Sequence, residues 1–308
     1  MPSAARSIVF AGALFHDVGK PICTRAEADG SITSRGHSSR GASLIRQLFY
    51  RQFNVPLFCR EAICALIRLH GFPLNFLNQR NPEREVILAS LRTRCDWLAL
   101  VALADVLGRE CQDQQDLLTR VALFEELCRE QLCLTQPRHF ASDHGRFIYC
   151  TRGLSGPEYD AYNDTQFEAV VMSGLPAAGK SEWVRRNANG LKTICLDEIR
   201  AELDIDPADG QGSVAAAAKE QARSYARDGI SFIWNATNIS RHHRDGLIRF
   251  LSGYKARVRI VYIEAPYDAI VARNRNRTNP VPSVVIDRLV EKWEVPDLTE
   301  AHRIDWIM

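Results

Sequence analysis

The chain has 308 residues, 46% of them hydrophobic and 25% charged, with a formal net charge of +2. This is the composition of packed globular protein at a length that suits about two domains, and it excludes intrinsic disorder, collagen and a pure coiled coil. The longest apolar runs, such as Ile230–Trp234 and Trp97–Leu103, fall far short of the ~20 residues a bilayer span needs. The near-neutral charge gives no global case for nucleic-acid binding.

Met1–Phe10 lacks the apolar core and small-residue cleavage site of a secretory leader. The nine cysteines are scattered, odd in number and free of any C-x-x-C pair. They read as reduced thiols of a cytoplasmic protein, not as a zinc ribbon or a disulfide framework.

Up to about residue 135, apolar residues recur at helical spacing over Ala4–Phe15, Gly41–Phe53, Cys59–His70, Pro82–Gly108 and Gln112–Leu132. Breaks fall at Gly19-Lys20-Pro21, Asp29-Gly30, Asn54-Val55-Pro56 and Gly71-Phe72-Pro73. Residues 1–135 are therefore expected to form an all-α domain. Over 136–166, Pro137, Gly145, Gly153, Gly156 and Pro157 punctuate a polar stretch around the aromatic run Arg146–Cys150. A linker with a short strand or hairpin is expected there.

From Phe167 onward the short β-branched runs Ala169–Ser173, Thr193–Leu196, Ser231–Asn235 and Val258–Ile263 read as buried strands. Between and after them lie the helical stretches Lys180–Arg186, Asp197–Leu203, Ala215–Arg227, Arg241–Leu251, Pro266–Asn274 and Ser283–Trp293. Such alternation predicts an α/β domain with a parallel sheet over 167–308.

Gly174-Leu175-Pro176-Ala177-Ala178-Gly179-Lys180-Ser181 fits G-x-x-x-x-G-K-[ST] directly between an expected strand and helix. In that setting the loop amides and the helix N-terminus face an anion, Lys180 reaches the β- and γ-phosphates, and the Ser181 hydroxyl binds Mg²⁺. The expected cofactor is Mg²⁺ with ATP or another NTP. Asp197, after the second strand, lies where ligands sit in such sheets. It can take a proton from an attacking hydroxyl, with Arg200 one turn on to hold an anionic group of the acceptor. Helix capping by Asp197 beside a solvated Arg200 is the competing reading. Arg273 and Arg277, in Arg273-Asn274-Arg275-Asn276-Arg277, share one face at helical spacing and can close over the triphosphate as a lid. The alternative is a solvated basic face.

The order P-loop, D-x-x-R, Asn235-Ala236-Thr237-Asn238 and R-x-x-x-R before Val-Pro resembles the polynucleotide 5′-hydroxyl kinases of bacteria and phages over Glu168 to about Trp306. The tail Trp293-Glu294-Val295-Pro296…Glu300-Ala301-His302 is similar too. The resemblance implies that Asp197 is the general base, Arg200 the grip on the acceptor's 3′-phosphate, and Arg273 and Arg277 the lid arginines. Ala177 stands where that family commonly has glycine, and Asn235 where it usually has aspartate.

In the first half, His16-Asp17 closes an apolar helix in Leu14–Pro21, and His37, His70 and Asp105 follow. Imidazole and carboxylate suit divalent transition metals, which activate water for attack on phosphoesters. An Asp beside a His on an apolar helix is costly to bury without a metal or a partner. The set resembles the HD superfamily of metal-dependent phosphohydrolases over roughly residues 1–130. The HD domains attached to tRNA nucleotidyltransferases are especially similar, as in Gly36-His37 followed by Gly41-Ala42. By that resemblance His16, Asp17, His37, His70 and Asp105 ligate Mn²⁺, Ni²⁺, Co²⁺ or Zn²⁺, and Lys20 contacts the substrate phosphate. The superfamily's further histidine on a preceding helix has no counterpart among the fifteen residues before His16. A start further upstream, one metal instead of two, and weak catalysis are the alternatives.

The two halves together resemble the bifunctional bacterial HD-domain polynucleotide kinases. That implies a nucleic-acid end-healing enzyme, whose kinase phosphorylates 5′-OH ends and whose HD domain removes 3′-phosphate or 2′,3′-cyclic phosphate. Its partners would be single-stranded RNA or DNA ends and possibly a separate ligase, with no membrane. Two rival readings are a P-loop kinase of a small-molecule acceptor whose HD domain acts on nucleotides, and a nucleotide sensor with a degenerate HD domain.

Overall fold

The computed structural model describes residues 2–153, 156–206, 211–277 and 279–308. It divides into two compact units, Met1–Phe140 and Ala141–Met308.

The first unit is helical. Its elements are α1 (Ser3–Phe15), α2 (Lys20–Cys23), a small hairpin of β1 (Arg25–Ala26) and β2 (Ile32–Thr33), α3 (His37–Arg51), α4 (Leu57–Leu69), α5 (Phe72–Asn75), a 3₁₀ turn at Phe76–Asn78, α6 (Pro82–Ser90), α7 (Cys95–Leu107) and α8 (Gln114–Glu130). Helix α7 is apolar on nearly every side, the pattern of a helix sunk in a core. Its Leu98, Val101, Ala102 and Val106 are fully buried, against α1, α4 and α8.

The single helix expected over Pro82–Gly108 is two. Asn81 caps α6 by accepting from the Arg84 amide. The chain then leaves helical geometry at Arg94 (φ −70°, ψ 126°). The Ser90 hydroxyl bonds back to the Ile87 carbonyl, and the Asp96 amide donates to the Leu134 carbonyl at 2.9 Å, so side chain and returning chain replace the helical ladder. The periodicity runs across the break because both helices bury residues in one core.

The second unit begins earlier than the sequence suggests. The segment expected as a linker with a strand or hairpin carries helix α9 (Asp143–Arg152), capped by the Ser142 hydroxyl and closed by left-handed Gly153. Its run of aromatic and aliphatic residues mimics a strand because Phe147, Ile148 and Tyr149 are all buried, the first two in the core of the α/β unit. Leu154 and Ser155 of that segment, and Thr278 of the expected lid, lie outside the described residues.

There follow β3 (Phe167–Ser173), α10 (Lys180–Asn187), β4 (Lys192–Cys195), α11 (Leu196–Glu202), α12 (Gln211–Arg227), β5 (Phe232–Asn235), α13 (Arg241–Gly253), β6 (Ala256–Ile263), α14 (Tyr267–Arg275), α15 (Ser283–Glu291) and β7 (Arg303–Ile307). The strands form one parallel sheet in the order β4-β5-β3-β6-β7. The continuous apolar runs of β3 and β5 reflect burial on both faces. Strand β7, which periodicity does not reveal, is short and lies at the sheet edge, where only Ile304 is buried. Among the described residues no helix is long and apolar enough to cross a membrane.

Candidate active sites

In the helical unit the five predicted ligands converge from four places: His16 and Asp17 after α1, His37 opening α3, His70 after α4, and Asp105 near the end of α7. Each imidazole sets its Nδ1 against the backbone carbonyl three residues earlier: His16 to Ala13 at 2.7 Å, His37 to Ser34 at 2.8 Å and His70 to Ile67 at 2.8 Å. A carbonyl only accepts, so Nδ1 carries the proton and every Nε2 of a neutral ring presents a lone pair.

Those Nε2 atoms point inward at Asp17. Its Oδ1 lies 3.3 Å from His37 Nε2 and 3.8 Å from His70 Nε2, and the two nitrogens are 3.4 Å apart. Its Oδ2 lies 3.1 Å from His16 Nε2, which in turn is 3.4 Å from Asp105 Oδ1. Two groups result, Asp17–His37–His70 and His16–Asp17–Asp105, sharing Asp17. Two facing lone pairs without a proton between them repel, and His16 Nε2 and Asp17 Oδ1 are buried without a hydrogen-bond partner. Donor atoms ~2.1 Å from a common ion stand roughly 3.0–3.5 Å apart, so the residues fit a divalent cation. Lys20 joins at 2.5 Å from Asp17 Oδ2 with its stem still part-exposed, where it can meet a phosphate.

Arg109 is a participant that sequence reasoning missed. Its Nε donates to Asp105 Oδ1 at 2.9 Å and its Nη2 to Oδ2. Burial disfavours the Asp105 carboxylate, but the neighbouring His16 imidazole and the bonds from Arg109 outweigh it and hold the group below the ordinary carboxylate range. The nearby Asp105 carboxylate also raises His16, while burial lowers His70. An arginine two residues past a helix end reads as dipole compensation, and its i,i+4 spacing from Asp105 is the sequence signal that could have found it.

The glycine of His16-Asp17-Val18-Gly19-Lys20 has a steric task. A Cβ at Gly19 would lie 2.1 Å from the His37 carbonyl oxygen and 2.8 Å from the Gly41 amide, both backbone atoms. The missing side chain lets the start of α3 dock against the turn that carries His16 and Asp17. Gly19→Ala is expected to destabilise the unit by about 2–3 kcal/mol and to lower its metal content, read from denaturant midpoints and elemental analysis.

In the α/β unit the predicted phosphate loop joins the C-terminal end of central strand β3 to α10. Gly174 has φ +147°, and a Cβ there would lie 2.3 Å from the Ile263 carbonyl oxygen. Ala177 is left-handed at φ +61°, a conformation that strains a residue carrying a Cβ. Ala177→Gly is expected to stabilise the unit by about 0.5–1 kcal/mol, because relief of the left-handed cost exceeds glycine's added unfolded-state entropy. A urea midpoint would register it.

Lys180 folds over the loop and donates to the Gly174 and Leu175 carbonyls, each at 2.9 Å. Burial lowers its pKa to about 8, opposed by the charge of Asp197 and reinforced by that of Arg277. The predicted site residues thus feel one another. Arg273 Nη1 lies 3.3 Å from the Ala178 carbonyl, so both arginines bear on the loop, with Ser181 in the first turn of α10. They do not share a helix face as their spacing suggests. Helix α14 ends at Arg275, and Arg277 follows in a turn closed by its amide to Asn274 O. The Asn274 side chain pins the returning chain by exchanging two hydrogen bonds with the Val281 backbone.

Asp197 is not a helix cap. The cap position of α11 is Cys195, and the Asp197 side chain is 79% exposed, with Arg200 Nη1 at 3.1 Å. Nor is Arg200 a solvated arginine, since its side chain is only 17% exposed. Asn235, in register with Cys195, donates its amide nitrogen to that sulfur at 3.8 Å, and as a neutral group it cannot supply the charge of an aspartate.

The C-terminal tail is anchored by Arg244 and Glu300, a fully buried pair at 2.7 Å. Arg244 Nη1 also donates to the Asn238 and Glu294 carbonyls. Asn238 bonds β3 through the Met172 carbonyl and the Ser173 hydroxyl, and Thr237 O receives the Gly174 amide at 2.9 Å. The tail therefore braces the base of the phosphate loop.

Family comparison agrees with this division. Residues 2–107 match the model of the HD domain, and residues 170–296 match that of an AAA domain. The chain joins an N-terminal HD phosphohydrolase domain, of a kind that binds divalent metal, to a C-terminal P-loop kinase-like domain, of a kind that uses Mg–NTP.

Proposed function

We propose that the protein heals nucleic-acid ends: the P-loop domain transfers the terminal phosphoryl group of an NTP to a 5′-hydroxyl, and the HD domain hydrolyses a 3′-phosphate or 2′,3′-cyclic phosphate. The observation that carries the kinase half is an exposed Asp197 within electrostatic reach of Lys180. A general base in open solvent suits the terminus of a polymer, whereas a small acceptor needs an enclosing pocket. Arg200, beside that base, suits the adjacent phosphate of such a strand. Lys180 and the loop amides bind and orient the triphosphate. Arg273 and Arg277 offset charge as the phosphoryl group moves, and Asp197 accepts the hydroxyl proton.

In the HD domain, Asp17, His37 and His70 would hold a divalent ion, with His16 and Asp105 as a second group around the shared Asp17. When bound, the ion supplies a water made nucleophilic near neutral pH. Lys20 orients the phosphoester, and the three Nδ1 bonds keep the imidazoles aimed. The small net charge and local arginines fit short single-stranded RNA or DNA ends, with strong salt dependence. Partnership with a separate ligase follows from the product, a 5′-phosphate beside a 3′-hydroxyl.

The test supplies labelled ATP with either a 5′-OH oligonucleotide or a nucleoside as acceptor. Label on the oligonucleotide with a much higher kcat/KM is the expected result. Equal or preferential labelling of the nucleoside would favour the small-acceptor reading, and NTP binding without any transfer would favour a sensor.

A further inference from the structure

We propose that Cys95, Cys128 and Cys133 form a second metal site in the helical unit, a closed trithiolate centre for a soft d10 cation such as Cu(I) or Zn(II). The three thiols come from separate places: Cys95 opens α7, Cys128 lies in the last turn of α8, and Cys133 follows that helix. All three residues have 0% exposure, and their sulfurs lie within 4.8 Å of one another. Thiolates ~2.3 Å from one ion stand roughly 4 Å apart, so capture needs only a small contraction.

The backbone is bent to bring the third sulfur in. Leu132 is left-handed at φ +52° with its apolar side chain 64% exposed, two unfavourable features at one residue. The turn they allow sends the Cys133 amide to the Cys128 carbonyl at 2.8 Å and the thiol inward. The Cys95 and Cys133 sulfurs both lie 3.9 Å from the Val86 carbonyl oxygen.

The donor set separates this centre from the imidazole–carboxylate one. Cys95 and Asp105 lie ten residues apart on α7, about 15 Å along its axis. All-sulfur coordination selects thiophilic ions, whereas the nitrogen–oxygen centre accepts harder divalent ones. A bound ion would tie α7 to α8 and to the segment that follows it.

The experiment uses the full-length, reduced, chelator-treated chain titrated with Cd²⁺, followed by the ultraviolet thiolate-to-cadmium charge-transfer band. The imidazole–carboxylate centre does not produce that band. The expected result is a band saturating at one equivalent, lost in Cys133→Ser and in Cys128→Ala and kept in Cys111→Ser, whose thiol is exposed. Absence of the band in the wild type, or its survival in Cys133→Ser, overturns the proposal. Mass mapping of alkylation in mild urea gives a check that needs no variant. Cadmium should protect Cys95, Cys128 and Cys133 together, and equal labelling with and without cadmium overturns it. Displacement of cadmium by Cu(I) or by Zn(II) assigns the ion, and displacement by neither counts against the site.

Discussion

Lys180→Ala is expected to lower NTP-dependent phosphoryl transfer by ~10³-fold or more while leaving the HD activity unchanged. The ammonium is poised for the task. Burial has brought its pKa to about 8, and two loop carbonyls hold it where a triphosphate would displace them. Alanine removes the positive charge that bridges the phosphates but leaves α10 and the loop glycines in place. Asp197→Asn is the sharper companion. It keeps the shape and the contact with Arg200 but cannot accept a proton, so kcat should fall by roughly 10²–10⁴-fold with the KM for NTP little changed. Arg200→Ala should instead raise the KM for a phosphorylated acceptor. Labelled transfer measured against both substrates separates the three. An Asp197→Asn variant of wild-type kcat would remove the general base from the proposal.

Much of this arrangement is legible in the sequence because the motifs carry their own geometry. Gly174 to Ser181 between a buried strand and a helix can hardly be anything but a phosphate loop, and the clash a Cβ at Gly174 would make with Ile263 explains its first glycine. The helical character of the first unit follows from strong 3.6-residue periodicity. What periodicity cannot show is where a hydrophobic pattern is shared by two elements, as at the break before Cys95, or where three adjacent buried residues belong to a helix, as in Phe147–Tyr149. Long-range polar contacts are invisible for a different reason. The Arg244–Glu300 pair depends on which chain segments meet, whereas the Asp105–Arg109 pair is a local i,i+4 contact whose spacing stands in the sequence. Spacing likewise misleads at Arg277, because helix α14 ends before it.

Asp17 is the residue whose loss should cost the HD centre most, because it alone belongs to both candidate ligand groups. Asp17→Ala is expected to abolish the metal-dependent phosphohydrolase activity and to weaken binding of a divalent ion by more than ~100-fold, with phosphoryl transfer intact. The two groups it joins are not equivalent. In His16–Asp17–Asp105, both Asp105 oxygens already serve Arg109, so an ion there must share a carboxylate whose charge is compensated. In Asp17–His37–His70, two imidazole nitrogens face each other across 3.4 Å with no donor between them, and a cation relieves that repulsion. The tighter-bound ion should therefore depend on His37 as strongly as on Asp17, whereas Asp105→Ala should lower its affinity by about 10-fold or less. Metal content after dialysis of Asp17→Ala, His37→Ala and Asp105→Ala, with calorimetric titration of Mn²⁺, reads this order directly. Retention of the ion by His37→Ala and its loss from Asp105→Ala would place the principal ion in the other group.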